Sequence, residues 1–80
     1  MDYNEQKINY SPLSQDIVIN GQVISVFIYE DADGRWILEA EDVNKSSYLW
    51  NETFTTDRLA LNEINEVLKN EGVESLFGSR

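Results

Sequence analysis

The fold is decided by residues 16–42, which read DIVINGQVISVFIYEDADGRWILEAED. Three runs rich in β-branched and aromatic residues are separated there by Asn20-Gly21 and by a polar, glycine-containing stretch at residues 31–34. Asn-Gly between two such runs is the strongest short hairpin signal, because both residues tolerate the positive φ that a type I′ turn requires. The stretch therefore predicts three consecutive antiparallel strands joined by two tight turns.

The second turn allows two registers, and they differ in the side of the sheet on which one carboxylate lies. A four-residue loop pairs Ile28 with Ile37 and turns Glu39 toward the apolar side. A three-residue loop, with Gly34 in the left-handed conformation, pairs Ile28 with Leu38 and keeps that carboxylate on the opposite side. Since a slip of one residue reverses every side chain of a strand, we predict the three-residue loop.

This register gives the predicted sheet two different faces. The core face carries an apolar set, which consists of Ile17, Ile19, Ile24, Val26, Ile28, Trp36, Leu38 and Ala40. The back face carries a mixed set, which consists of Asp16, Val18, Val23, Ser25, Phe27, Tyr29, Arg35, Ile37, Glu39 and Glu41. A helix is expected to cover the core face, because an apolar sheet face must be buried against another element.

Residues 57–71 predict that helix. Thr56 or Thr55 is suited to be its N-cap, and Gly72 is suited to end it in the left-handed conformation. The apolar residues of this stretch recur at spacings of three and four, as on one stripe of a helix. They are Ala60, Leu61, Ile64, Val67 and Leu68.

The predicted architecture is an α+β domain, a three- to four-stranded antiparallel meander packed on one face by a single C-terminal helix. Residues 47–50 are the candidate fourth strand, at the sheet edge, and residues 73–77 are expected to be extended or irregular. We predict an N-terminal arm over residues 1–14, a single domain over residues 15–77 and a flexible tail over residues 78–80.

The composition argues against several classes of function. The chain of 80 residues has no cysteine and no histidine, so it lacks thiol chemistry and the commonest general base and metal ligand. Its formal net charge of −9 disfavours binding to nucleic acid or to an anionic membrane. No signal peptide or membrane-spanning run is evident in the sequence, and we expect a cytoplasmic protein.

One acidic motif invites a calcium hypothesis. Asp31-x-Asp33-Gly34 is similar to the start of an EF-hand loop, but the first and last ligand positions would then be Tyr29 and Ala40. Neither residue supplies the side-chain oxygen that such a loop needs, so a hairpin turn is the better interpretation. We expect no metal site and no cofactor.

A second acidic group, Glu39, Glu41 and Asp42, invites a catalytic hypothesis. General acid–base catalysis needs a cleft that separates the pKa values of two carboxyl groups. Glu39 and Glu41 instead alternate along the outward face of one strand, where solvation is expected. We therefore predict no catalytic residues and no enzymatic activity.

Four motifs together resemble a family of small, functionally uncharacterised bacterial proteins. They are Asn-Gly-x-Val-x-Ser-Val-x-Ile-Tyr from Asn20, Trp-Ile-Leu-Glu-x-x-Asp from Trp36, Trp-x-x-x-Phe-x-Thr-Asp-x-x-Ala-Leu from Trp50, and Glu-Gly-Val from Glu71. The resemblance implies a shared fold and carries over no activity. More loosely, three strands followed by a helix resemble the integrase arm-binding and double-stranded-RNA-binding folds. The chain departs from both folds in having acidic outer faces, which carry Glu39, Glu41, Glu63 and Glu66.

The back face is the candidate functional surface. Its predicted interface comprises Val18, Val23, Phe27, Tyr29 and Ile37, with Arg35 and Glu39 at the rim. The surface predicts a small non-enzymatic protein-interaction module, homodimeric through this face, with a foreign protein as the other possible partner. Two alternatives stay open. The side chains of Tyr3, Ile8, Tyr10 and Leu13 could cover the face within the same chain, or the protein could be an acidic nucleic-acid mimic that inhibits a nucleic-acid-binding protein.

Overall fold

The computed structural model describes residues 8–77 and contains a four-stranded antiparallel sheet with a long helix packed on one face. The strands are β1 (Gln15–Ile19), β2 (Gln22–Glu30), β3 (Trp36–Glu41) and β4 (Ser47–Leu49), and they lie side by side in chain order. The helices are α1 (Asp57–Asn70) and the single turn α2 (Glu74–Phe77). The predicted α+β meander with a C-terminal helix is confirmed.

The register of the sheet is the one that a three-residue second loop requires. Ile17 lies opposite Ile24 across β1 and β2, and Ile28 lies opposite Leu38 across β2 and β3. Both residues of the Asn-Gly turn have positive φ, 52° and 77°, and Gly34 has a φ of 79°. The predicted pairing is therefore confirmed in both hairpins.

The core lies between the core face and α1. Its buried residues are Ile24, Val26, Ile28, Leu38, Ala40, Trp50, Ala60, Ile64 and Leu68. The helix contributes the last three of them, and it contacts the two central strands. Leu61 and Val67 pack against this core from the margin of the helix stripe and are only partly buried.

The β2–β3 and β3–β4 loops share one pattern of hydrogen bonds and backbone conformation. Asp31 begins the β2–β3 loop and Asp42 begins the β3–β4 loop, and in each the carboxylate Oδ1 accepts two backbone N–H groups at 2.8–2.9 Å. The donors are two and four residues further along the chain. The residue three positions after the aspartate has positive φ, and it is Gly34 in the first loop and Lys45, with a φ of 70°, in the second.

The N-terminal segment, residues 8–14, continues the sheet beyond the start of β1. Tyr10 forms a β-bridge with Tyr29 on the free edge of β2. Between that bridge and β1, the Ser14 hydroxyl accepts a hydrogen bond from the Ile28 N–H at 3.0 Å and donates one to the Ile28 carbonyl at 3.1 Å. The Ser14 side chain thus makes the hydrogen bonds that a paired strand would otherwise make, next to the turn that contains Pro12.

A buried hydroxyl also ties this segment to α1. Ser11 is only 3% exposed, and its hydroxyl donates a hydrogen bond to the Asp57 carboxylate at 2.7 Å. The same hydroxyl oxygen accepts the N–H of Leu13 at 2.9 Å, and Leu13 packs against the core. Because Asp57 is the first residue of α1, this bond joins the start of the described chain to the start of the helix.

The N-cap of α1 and the left-handed glycine after it are the ones predicted from the sequence. The residues that follow the helix do not have the predicted conformation. Thr56 is the N-cap, and its hydroxyl accepts the Leu59 N–H at 3.1 Å. Gly72 has a φ of 87° just after the helix. The prediction of an extended or irregular stretch at residues 73–77 is wrong, because residues 74–77 form α2. The Ser75 hydroxyl donates to the Gly72 carbonyl at 2.8 Å and so helps to start that turn.

The two tryptophans differ in burial from what the sequence suggests. Trp36 is only partly buried, although it lies on the core face as predicted. Trp50, which the sequence places in the strand at the edge of the sheet, is 9% exposed and donates its indole N–H to Glu63 at 3.2 Å. Trp50 therefore closes the core on the β4 side.

Replacement of Lys45 tests the cost of its left-handed backbone. We expect Lys45→Gly to raise the free energy of unfolding by about 0.5–1 kcal/mol, because the steric penalty that it removes exceeds the chain entropy that glycine adds. Lys45→Ala is the control for loss of the charge and should not stabilise the protein.

Gly34→Ala should lower the free energy of unfolding by about 1 kcal/mol, since an added Cβ there meets no atom within 4 Å and only the backbone penalty acts. Urea denaturation measures all three.

The different burial of the two tryptophans predicts which of them contributes more to the free energy of unfolding. Trp50→Ala should lower the free energy of unfolding by about 3–5 kcal/mol, the range for truncating a large buried aromatic side chain. Trp36→Ala should lower it by less, because part of that ring is already in water. Thermal unfolding of both variants in parallel checks the order, and a larger loss for Trp36→Ala would contradict it.

Candidate functional site

The residues predicted to form the interface all lie where the register places them, but they differ in exposure. Phe27, Tyr29, Ile37 and Glu39 are partly buried, and Val18, Val23 and Arg35 are exposed, with Val18 at 70%. Helix α1 contacts the sheet from the core face. The back face therefore stays open to solvent over much of its area in the described part of the chain.

An aromatic patch occupies the end of the back face near the β2–β3 turn. We define the patch as Tyr10, Phe27, Tyr29 and Ile37. The Tyr10 ring lies edge-on to Tyr29 at a centroid distance of 5.6 Å and to Phe27 at 6.5 Å, both with interplanar angles of 61°. Edge-to-face pairs of this kind are favourable beyond the area that they bury. Tyr10 is nevertheless 51% exposed, so the patch continues to face water.

The alternative in which the N-terminal arm covers the back face is realised only in part. Tyr10 lies against the face, whereas Leu13 packs on the core side and Ile8 is exposed. Tyr3 is outside the described residues. A single ring from the described arm thus joins the patch, and the sequence gives no periodic signal that would have singled it out.

A row of polar side chains divides the predicted interface into two parts. Asp16, Ser25, Glu41 and Ser47 lie side by side across the four strands. This polar row separates the exposed pair Val18 and Val23, next to the Asn-Gly turn, from the aromatic patch. The contiguous apolar surface expected from the sequence is therefore two smaller ones.

Leu49 is a further apolar residue on this face that the sequence-based interface omits. It pairs with Glu39 across β3 and β4 and is 57% exposed. Side chains alternate between the two faces along a strand, so the inward position of Trp50 implies that its neighbour Leu49 faces outward. Glu39 thus lies between two apolar neighbours, Phe27 on one side and Leu49 on the other.

Glu39 also accepts a hydrogen bond from a neighbouring side chain of the face. The Tyr29 hydroxyl donates a hydrogen bond to its Oε1 at 3.0 Å. Partial burial of Tyr29, this hydrogen bond and the adjacent negative charge raise the pKa of the Tyr29 hydroxyl from 10.0 to about 12. The phenol of Tyr29, in the aromatic patch, and the carboxylate of Glu39 beside it therefore form one hydrogen-bonded polar unit.

Arg35, the predicted cation at the rim of the interface, makes hydrogen bonds within its own chain. Its Nε donates to the Thr53 hydroxyl, and its Nη2 donates to the Thr53 carbonyl at 2.9 Å. The guanidinium is thus held toward the chain beside the N-terminal end of β3. The face itself carries three carboxylates, Asp16, Glu39 and Glu41.

Many other carboxylates serve as hydrogen-bond acceptors for the chain's own turns and helix. Examples are Asp31 and Asp42 in the two loops, Asp57 with Ser11, and Glu63 with Trp50. Such dispersed structural use differs from the dense rows of carboxylates on one face that mimicry of a nucleic acid needs. Within residues 8–77, no group of three acidic side chains has an arrangement that could hold a metal ion.

A shallow cleft lies at the opposite end of the sheet. It is formed by the Asn-Gly turn, the β3–β4 loop and Val73, and its volume is about 180 Å³. Pockets that hold small-molecule ligands usually have about 300–1,000 Å³. The cleft is therefore too small to be the main candidate site. No helix in the described part of the chain is long and apolar enough to cross a membrane.

Comparison of the chain with protein-family models, with curated proteins and with solved structures gives no match. The resemblance that its motifs suggest finds no support there.

The polar unit of Tyr29 and Glu39 can be detected by titration. Between pH 10 and 12 the unfolded chain has lost the Tyr29 proton that the folded chain retains, so Tyr29 should lower the free energy of unfolding as pH rises through this window. Below the ordinary pKa its contribution is fully present. Tyr29→Phe should remove the highest-pH component of the phenolate absorbance titration. Glu39→Gln, which keeps an acceptor but no charge, should shift that component to lower pH, and an unshifted component would contradict the assignment.

Proposed function

We propose that the protein is a small, non-enzymatic interaction module that binds another protein chain through the back face of its sheet. The observation that carries the proposal is the aromatic patch, an edge-to-face cluster on the sheet face that lies opposite α1. Tyrosine and phenylalanine are enriched in protein–protein interfaces, where their large rigid side chains bury much area at a small entropic cost.

The position of the patch supports this proposal. It lies on the regular strands β2 and β3, and the N-terminal segment fixes one of its rings by backbone pairing. A rigid surface loses little conformational entropy on binding, so more of its interaction energy becomes affinity. The polar row of Asp16, Ser25, Glu41 and Ser47 borders the patch on one side, as expected for the rim of an interface. The absence of histidine and cysteine from the sequence favours binding over catalysis.

Site-specific photo-crosslinking in living cells tests the proposal for a partner of any identity. A benzophenone amino acid would replace Ile37 or Leu49 on the back face. Matched control positions are Leu59 and Asn62, which are exposed on α1. We expect covalent adducts from the two back-face positions and few from the control positions, because only the back face is in lasting contact with another chain.

The mass of the adduct identifies the kind of partner. An adduct of twice the monomer mass is a second copy, which is the partner predicted from the sequence, and any other mass is a foreign protein. Equal yields from both faces, or no adducts from the back face, would contradict the proposal.

A further inference from the structure

We infer that the back face is built to bind an arginine-bearing segment of a different, basic protein, and not a second copy of this chain. The inference rests on the proposed function and names its partner class. It depends on three features of the face: its charge, the position of Glu39 among apolar side chains, and the bonds that already hold Arg35.

The charge of the face disfavours self-association. In a face-to-face dimer, the carboxylates of Asp16, Glu39 and Glu41 would share one interface with the same three groups of the partner copy. Arg35, at the border of the face, already donates two hydrogen bonds to Thr53, so fewer of its N–H groups are left to pair with a carboxylate of the other copy. Each chain also has a formal net charge of −9, so repulsion adds to the cost of removing the carboxylates from water.

The same groups complement a cation. Glu39 lies between Phe27 and Leu49 across the strands, and Tyr29 donates a hydrogen bond to it. A positively charged side chain that pairs with Glu39 would therefore also contact aromatic rings. Glu41 lies two residues away on the same strand and Asp16 lies in the adjoining polar row, so further cations of the partner would have acceptors within reach.

Arginine fits this arrangement better than lysine. Its planar guanidinium stacks on aromatic faces and donates two parallel hydrogen bonds to a carboxylate, whereas the lysine ammonium is a strongly hydrated point charge. The back face supplies both partners of a guanidinium, the rings of Phe27 and Tyr29 in the patch and the carboxylate of Glu39 beside it. We therefore expect arginine to be preferred and the flanking residues of the partner to be apolar.

Selection from a library of random peptides displayed on their own messenger RNA tests this inference. The full-length protein would be the bait, in three forms. The first is the wild type, and the second is Asp16→Asn/Glu39→Gln/Glu41→Gln, which neutralises the back face. The third, Glu66→Gln/Glu71→Gln/Glu74→Gln, removes the same charge from exposed positions on and after α1. Circular dichroism and thermal unfolding first establish that all three fold.

The wild type should enrich peptides that contain arginine next to aromatic or aliphatic residues. The variant with the neutralised back face should bind those peptides at least tenfold more weakly, whereas the variant neutralised on the helix side should retain the affinity. Exchange of arginine for lysine in a selected peptide should also weaken binding severalfold. This pattern would establish a local site and exclude general attraction between opposite charges.

Several results would overturn the inference. These are enrichment of uncharged or acidic peptides, equal loss of binding in both triple variants, equal binding of the lysine peptides, or no enrichment at all. A wild-type protein that is dimeric in sedimentation equilibrium, and monomeric as Phe27→Glu, would also overturn it while leaving the proposed interaction module intact. If the back face in addition gives no photo-crosslinked adduct, both proposals fail.

Discussion

The structure depends on the backbone of one turn. The Asp31 carboxylate holds the N–H groups of Asp33 and Arg35, and Gly34 takes up the left-handed conformation that completes a three-residue loop. With that loop, Ile28 meets Leu38 and the apolar residues of β2 and β3 share one face. A loop longer by one residue would turn Glu39 into the core and Leu38 out of it, so the surface that the helix covers would contain a carboxylate.

Isolated residue pairs flank the central hairpin at the edges of the sheet. At the end near the β2–β3 turn, both outer strands become irregular, and single pairs take their place: Tyr10 with Tyr29 on one side, and Phe54 with Trp36 on the other. Phe54 and Trp36 exchange two backbone hydrogen bonds of 2.8 Å. These pairs protect the edges of the central hairpin, because a short, interrupted edge offers little template for another strand. The Ser11–Asp57 bond then links one of these edges to α1.

Much of the fold could be predicted from sequence because its signals are local. The Asn-Gly turn, the Gly34 loop, the Thr56 cap and the spacing of three and four in α1 each depend on a few neighbouring residues. The burial of Trp50 could not be predicted in this way, because Trp50 lies just after β4, in the irregular stretch of residues 50–53 that leads to Phe54. Likewise, the repeat of the Asp31 loop at Asp42 was hidden, since Lys45 stands where glycine usually signals such a turn.

The candidate site was predicted less completely than the fold. Alternation along the strands placed Phe27, Tyr29 and Ile37 on the back face. It could not show that Tyr10 joins them, because the detour at Pro12 resets the pairing of the N-terminal segment. Nor could it show that a polar row crosses the face, since that requires the pairing of all four strands at once.

The charge distribution connects the fold with the proposed function. Several carboxylates of this acidic chain are used within it, as loop and helix acceptors, so the net charge alone is a poor guide to function. The carboxylates of the back face differ because they share that face with the partly buried rings of Phe27 and Tyr29 and the half-exposed ring of Tyr10. The placement of Glu39, Glu41, Phe27 and Tyr29 on this face follows from the register of β2 and β3, whereas Tyr10 joins the face through its bridge to Tyr29.

That register can be measured directly by nuclear Overhauser spectroscopy. The Ile28 N–H and carbonyl groups bond to residues of the N-terminal segment, and the Leu38 carbonyl accepts the Trp50 N–H, so Ile28 and Leu38 face each other as a non-hydrogen-bonded pair. The Hα atoms of such a pair approach closely. We expect a strong Hα–Hα contact between Ile28 and Leu38, and a contact between Ile28 and Ile37 in its place would contradict the assignment of the two faces.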